Sequence, residues 1–417
     1  MEKTEFKAAV EISREWDGGK VAEEIVKKLK KKTPNPKFIL LFTTIHYEKE
    51  FKKILSGIKN SFPNSPLVGG TVAGFITPEG CFTRGVTALA VEYPNMEVAI
   101  GIGHNTKRDP RKAVEEASKA IKRWIKKNKW KNKLIITIIS GGIVPRFPGI
   151  GQANLIQSER LGNLATKMLE MGLLKNTGVG REDEINFYLS KIFKDFYRIS
   201  LSSIDDNKLL KNFQFNNTNI LTNSMIIVAI LTDKKISGTS LIPAKKIGIK
   251  FIITDISNDK KIIKKLDNQP ATEVLLSSLK TKIDNILPLD KFYRYSFYFP
   301  LGYEKNNTYI PVVIGGFLGK HIAVGHKINK KDIYILSLSC DLLKREINKV
   351  NPGDVDISIG VSCSVILETI GDNIFEIKKV IDKKIKKYLI VFSGGEGYYD
   401  KRVDRYMNES LNFIFIK

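Results

Sequence analysis

Between Asn35-Pro36 and His104 the chain alternates apolar runs with amphipathic ones, and then the alternation stops. KFILLFTTI is followed by a helix predicted over about 48–62, in which Phe51, Ile54, Leu55 and Ile58 share one side, and Pro63 and Pro66 close it before LVGGTVAGFI. Two more apolar runs, CFTRGVTALAVEY and MEVAIGIG, then come too close together for helical crossovers. Thr77-Pro78-Glu79-Gly80 reads as a turn, since proline presets its second position and glycine suits its fourth. The late runs are therefore expected as antiparallel strands, and the sheet as mixed.

The same order begins again downstream. After a basic helix come KLIITIIS, the loop GGIVPRFPGIG, helices around 157–171 and 184–196, YRISLSS, the turn-bearing FQFNNTNILT and SMIIVAIL. Strand, helix, strand, turn, strand repeats the opening segment and suggests an internal duplication in a first lobe. A chain of 417 residues exceeds what one core usually serves, so two lobes are expected, 1–257 and 258–417. The boundary is placed near Ser257, where DISNDKK follows GIKFIITDI.

In the second lobe Pro270 is placed to start a helix within KIIKKLDNQPATEVLLSSL. YSFYFPLGY, YIPVVIGGF, HIAVGH, DIYILSLS and VDISIGVSCSVILETIG read as strands. KKYLIVFSGGEGYY has the form of a buried strand running into a glycine-rich loop, and the apolar LNFIFI just before Lys417 suggests an incomplete lobe or an unusual cap. The expected class is α/β to α+β, two lobes with mixed sheets covered by helices.

Lysine and arginine total 68 against 44 acidic residues, a net charge of +24. The densest stretch is Lys107 to Lys133, with twelve basic residues and three acidic ones. Ala113, Ala117, Ala120, Ile121 and Trp124 recur there at helical spacing, so it reads as an amphipathic helix with a solvated lysine face. A phosphate-backbone or anionic-surface contact is the secondary reading, without clustered aromatics to stack on bases. The first residues lack the continuous apolar core of a secretory signal, and no uncharged apolar run reaches membrane-spanning length. A cytoplasmic location without a membrane span is expected.

Cys81, Cys340 and Cys363 are too few and too scattered for a disulfide framework. Cys81 follows the turn and precedes Arg84 by three positions, an anion-friendly corner that carries the alternative of a thiol-dependent enzyme acting on an anionic small substrate. The four histidines fall into no HExxH pattern, and His321 and His326 are five apart across a short strand, so neither metal nor cofactor is expected. Ser393, Glu396 and the surrounding glycines follow an apolar strand but lack phosphate-loop spacing. A ligand pocket at strand ends is the better reading, with Gly69, Gly70, Thr71, Gly74, Thr77, Arg84, Arg146, Gln152, Ser393, Glu396 and Arg402 as candidate contacts.

Three segments carry a family resemblance: PLVGGTVAGFITPEGCFTRGVTALAVE over 66–92, NFQFNNTNILTNSMIIVAIL over 212–231, and KLDNQPATEVLLSSL over 265–279 with Leu266, Pro270, Ala271 and Val274. The chain resembles the FIST family of F-box and intracellular signal transduction proteins. That resemblance implies a sensory domain for an unknown small metabolite, amino acids among the candidates, and no catalytic set. It also implies a separate signalling protein as partner, because the chain has no room for an output module. One departure is clear: the family continues after this strand with a cysteine and arginine motif, and SGGEGYYDKR keeps Arg402 without the cysteine.

Overall fold

The computed structural model describes residues 5–126, 130–144, 146–147, 151–152, 154–171, 180–286 and 289–417. Its first segment runs β1 (Lys7–Ser13), α1 (Gly18–Lys32), β2 (Phe38–Thr43), α2 (Phe51–Ser61), β3 (Leu67–Thr71), the hairpin β4 (Gly74–Thr77) and β5 (Gly80–Phe82), then β6 (Val86–Glu92). The second follows the same order: β7 (Met96–His104), α3 (Pro110–Ile125), β8 (Asn132–Ser140), an extended connection, β12, a hairpin and a last strand. That connection holds β9 (Arg146–Phe147), β10 (Gly151–Gln152), β11 (Leu155–Ile156), α4 (Glu159–Glu170) and α5 (Glu182–Ile192). Then come β12 (Tyr197–Ser203), the hairpin β13 (Gln214–Asn216) and β14 (Asn219–Leu221), and β15 (Ser224–Thr232).

A third segment opens with β16 (Ile236–Leu241) and is interrupted at once. The inserted part holds β17 (Ala244–Ile256), β18 (Ile262–Leu266), β19 (Gln269–Pro270), α6 (Ala271–Ser278), α7 (Leu289–Tyr298), β20 (Leu301–Lys305), β21 (Thr308–Val312), β22 (Ile314–Leu318), β23 (His321–Val324) and β24 (Asp332–Leu338). The segment resumes with α8 (Cys340–Lys349), β25 (Ile357–Cys363), α9 (Ser364–Ile370), α10 (Ile374–Asp382), β26 (Tyr388–Ser393), the hairpin β27 (Glu396–Tyr399) and β28 (Asp404–Met407), and β29 (Leu411–Ile416).

The three segments build three sheets of one pattern: β1-β6-β2-β3-β13-β14, β7-β15-β8-β12-β27-β28 and β16-β29-β25-β26-β4-β5. In each the third and fourth strands are parallel and every other pair is antiparallel. No segment keeps its own hairpin. The first lends β4 and β5 to the third sheet, the second lends β13 and β14 to the first, and the third lends β27 and β28 to the second. The duplication suggested by the sequence thus has a third member, and strand pairing crosses Ser257 in both directions, β4 with β26 and β16 with β29.

Alternation along the strands explains how the sheets are covered. Phe38, Leu40 and Phe42 join Leu134, Ile136, Ile138, Leu389 and Val391 in one central core, whereas Ile39 and Leu41 face α1 and α2. Ile135 and Ile139 face α3 and α5, and Ile390 and Phe392 face the helices of the third segment. Strands buried on both faces read as continuous apolar runs, which is how KFILLF and KLIITII appear. The inserted strands form a separate nine-stranded sheet around Ile263, Leu275, Phe292, Phe317 and Ile333, to which the second segment contributes β11. Asn306 and Asn307 link β20 to β21 with positive φ at both, the backbone that a two-residue hairpin of matching twist requires.

Several expectations are refined. CFTRGVTALAVEY and MEVAIGIG do give antiparallel strands, but not with each other: β6 pairs with β1 and β2, and β7 with β15 in another sheet. YSFY belongs to α7, where Phe292 and Ser296, four apart, share the buried face. SVILETI is helix α9, and SGGEG is a strand-to-strand corner rather than a loop. LNFIFI is β29, buried between β16 and β25. Lys107 is buried and so does not belong to the lysine-rich surface, and Ala120 is exposed while Val114 and Ser118 join the packed face of α3.

That helix lies unusually close to β7. A Cβ at Gly101 would overlap the carbonyl of Ala117, and one at Gly103 that of Ala113, so only glycine lets the alanine face settle on the strand. Gly103→Val should destabilise the protein by about 1–3 kcal/mol in urea denaturation through overpacking, whereas Lys119→Ala on the exposed face should stay within about 0.5 kcal/mol.

Candidate functional site

At the C-terminal ends of the parallel pairs, small polar residues face each other in all three sheets: Thr43 opposite Thr71, Ser140 opposite Ser203, and Cys363 opposite Ser393. These ends are where open sheets with a parallel pair offer a crevice. At the second pair a cavity of about 180 Å³ opens, against the roughly 10–15 Å³ that one water needs on the same measure. Its floor is Gly141 to Val144 after β8 and Ser203 and Ile204 at the end of β12. The inserted sheet closes it with Val313 to Leu318 and Ala323 to Gly325, and α4 adds Ala165 and Leu169.

The lining is mostly apolar, with polar groups gathered on one wall. Glu182 stands at the first position of α5, and Tyr406 and Asn408 come from the hairpin lent by the third segment and the turn after it. Asn408 is fixed from both sides, donating from Nδ2 to Gly394 O at 3.2 Å and holding His326 Nδ1 at 3.4 Å through Oδ1. His326 Nε2 is buried without a hydrogen-bond partner, and the buried Ser202 hydroxyl lies beside that of Tyr406. Gly395 makes room for this wall, since a Cβ there would overlap the Tyr406 hydroxyl.

A charged vestibule adjoins the cavity and shares Leu169, Gly180, Ala323 and Val324 with it. Lys261 donates to Gly180 O at 3.1 Å and to Asp183 Oδ1 at 3.0 Å. Arg181 grips Glu184 with two hydrogen bonds, 2.8 and 2.7 Å. Burial pushes the Glu182 carboxyl up, against the pull of Lys261 and Lys107. Burial also opposes the charge of Asp183, but Lys261 holds its carboxylate below the ordinary range. Lys107 is brought down to about 8 by burial, with Glu182 working the other way, and burial brings His326 down to about 4. Tyr406 is pushed well up by burial and stays a phenol.

The residues singled out in the sequence lie around this cavity rather than in it. Gly69, Gly70 and Thr71 are in β3 and Gly74 and Thr77 in β4. Thr71 touches the site's frame, its carbonyl accepting from Ile204 N at 3.0 Å. Arg84 is committed elsewhere, donating to Arg14 O at 2.9 Å and Tyr47 Oη at 3.2 Å with its guanidinium 4.0 Å above Trp16. Arg146 and Gln152 pair across β9 and β10, and their side chains lie outside the described residues. Ser393 Oγ donates to Glu396 Oε1 at 3.1 Å, both buried, next to the cavity residue Gly394. Arg402 is an exposed turn residue.

Glu182, His326, Tyr406 and Asn408 escaped the sequence reading because they lie far apart along the chain. One signal was available: Ser-Gly-Gly follows an apolar strand twice, at 140–142 and 393–395, and both glycine corners line the cavity. Cys81 is half-buried on β5, where burial pushes its thiol up to about 11, opposite to what a nucleophile needs. Among the described residues no three His, Cys, Asp or Glu side chains are grouped to hold a metal ion.

Residues 37–153, from β2 to β10, match the family model described as the FIST N domain. The chain carries a FIST N domain. Such a domain serves as a sensory domain in signal transduction. No curated protein matches the chain. The FIST N domain supplies Gly141 to Val144 of the cavity floor, and the polar wall comes from beyond it. Among the described residues no helix is long and apolar enough to cross a membrane.

The buried imidazole has a consequence for acid stability. Unfolded histidine takes up a proton near 6.5 and folded His326 only near 4, so between these values the unfolded state holds more protons and stability falls as pH drops. Glu182, Glu396 and Glu409, raised above 4.5 by burial, act in the opposite sense, losing stability as pH rises past that value. Comparison with His326→Gln isolates the imidazole: the stability advantage of wild type over the variant in urea should shrink from pH 7 to pH 4.5. A constant difference would refute the assignment.

Proposed function

We propose that this chain is a sensor whose small-molecule ligand occupies the cavity at the ends of β8 and β12. The observation that carries the reading is the cavity itself: an apolar chamber with Glu182, Tyr406 and Asn408 on one wall. A few directional groups in a mostly apolar pocket are what small-molecule recognition uses. Amino acids and related metabolites are within its chemistry. Because its walls come from the second and third segments and the inserted sheet, a bound ligand would touch all of these at once, and a separate signalling protein would read the result.

A thermal-shift screen of amino acids and metabolites tests this, since a ligand that binds the native state raises its apparent stability. A selective shift is expected, and Ala165→Leu, which fills the chamber from α4, should abolish it. Gly315→Ala is the gentler companion, its added Cβ meeting nothing closer than 3.7 Å, and should reduce the shift. A shift that survives in both folded variants would place the ligand elsewhere.

A further inference from the structure

Resting on the ligand-binding reading above, we infer that the cavity takes a single planar six-membered ring, carbocyclic or heterocyclic, lying flat between Gly142 on its floor and Gly315 in its roof. Most of the glycines that line the chamber are explained by the fold. At Gly141, Gly180, Gly316 and Gly325 a Cβ would overlap a neighbour, and at Gly394 it would crowd Ile204. Gly142 and Gly315 differ. Among the described residues nothing lies closer than 3.4 Å to a Cβ at Gly142, or closer than 3.7 Å to one at Gly315. Neither has its φ in the left-handed region where glycine is favoured. Gly315 is also the extra residue of a bulge in β22, between Ile314 and Gly316, and a bulge calls for glycine only where that residue is left-handed.

Packing and backbone geometry therefore leave both glycines unexplained, whereas a ligand lying against the peptide itself explains them. Bare backbone is where a ligand can approach most closely, and a glycine within a strand marks such places. With one glycine on the floor after β8 and the other in the roof, two peptide faces stand uncovered toward the same chamber. They suit the two faces of a planar ring and not the thicker chair of a saturated one. Size agrees. The chamber measures about 180 Å³, and an apolar protein cavity of about 150 Å³ takes up benzene, so there is room for one ring and a few further atoms. Ile143, Val144, Leu209 and Leu318 supply apolar contacts in the same chamber.

Calorimetry with three matched amides tests the slot: benzamide, nicotinamide and cyclohexanecarboxamide, each titrated into the full chain. The vestibule carries both signs, Glu170, Glu184 and Asp259 with Arg181, Lys261 and Lys327, so neutral probes report on the ring without favouring a charge. The better planar amide should bind about tenfold tighter than the saturated one, the order that stacked faces add beyond buried area. Which planar amide binds better tells a carbocycle from a ring carrying nitrogen. Gly142→Ala and Gly315→Ala should each weaken the planar amide by about tenfold, since one added methylene-sized group is felt in a close-packed site. Both should leave the urea midpoint of the ligand-free chain unchanged or raised, because the methyl has room and alanine narrows the unfolded ensemble. Gly316→Ala, whose methyl would overlap Asn154 O, should lower it. Equal or tighter binding of cyclohexanecarboxamide, or a lowered midpoint in Gly142→Ala or Gly315→Ala, would overturn the planar-ring assignment and leave the cavity as the ligand site. If no amide binds while the metabolite screen yields a ligand blocked by Ala165→Leu, the ligand class is wrong and the site stands. Failure of both experiments overturns the sensor reading itself.

Discussion

One apolar core shared by three sheets holds this molecule together. Side chains such as Leu40, Ile136, Val228, Val361 and Leu389 meet in it from all three segments, and each sheet turns its other face to its own helices. Burying both faces of a strand makes it continuously apolar, and six-stranded sheets so built have nowhere to lie except against one another. The exchange of hairpins reinforces this. Since each sheet is completed by strands from another segment, no segment can satisfy its backbone hydrogen bonds at β3, β12 or β26 alone.

The near-threefold arrangement also shows what sets the site apart. Three equivalent strand ends carry paired hydroxyl or thiol groups, yet they have different fates. At the third, Cys363 and Ser393 sit with buried Glu396 and Glu409 in tightly packed surroundings, and burial together with those carboxyls pushes the thiol far up. At the second, long additions within the second and third segments arch over the strand ends and leave a chamber. The inserted sheet is therefore best understood as a roof, and the glycine corners at 141–142 and 394–395 as the gaps that keep its floor open.

Sensing suits this construction physically. The cavity's walls belong to α4, α5, the inserted sheet and a hairpin lent from the third segment, so a ligand there would touch all four at once. Charged groups at the mouth are paired with each other, as in Lys261 with Asp183 and Arg181 with Glu184, which fixes α5 against the inserted sheet while keeping the vestibule polar.

The sequence by itself determined the elements and their class. KFILLF, KLIITIIS and KKYLIVFS could only be strands buried on both faces, the alanine face of α3 could only pack, and the close succession of 80–104 could only be antiparallel. It also carried the first repeat of the strand order. Local pattern decides such features, because periodicity and turn chemistry act over a few residues. Partner choice is another matter: that β7 leaves β6 for β15, that β4 pairs with β26, and that the order recurs a third time across an insertion depend on contacts more than a hundred residues apart. The site is of the same kind. Arg84 looked available beside Cys81 and is spent on Trp16 and Tyr47, whereas Glu182, His326, Tyr406 and Asn408, unremarkable in their own stretches, come together only when two segments and a roof converge.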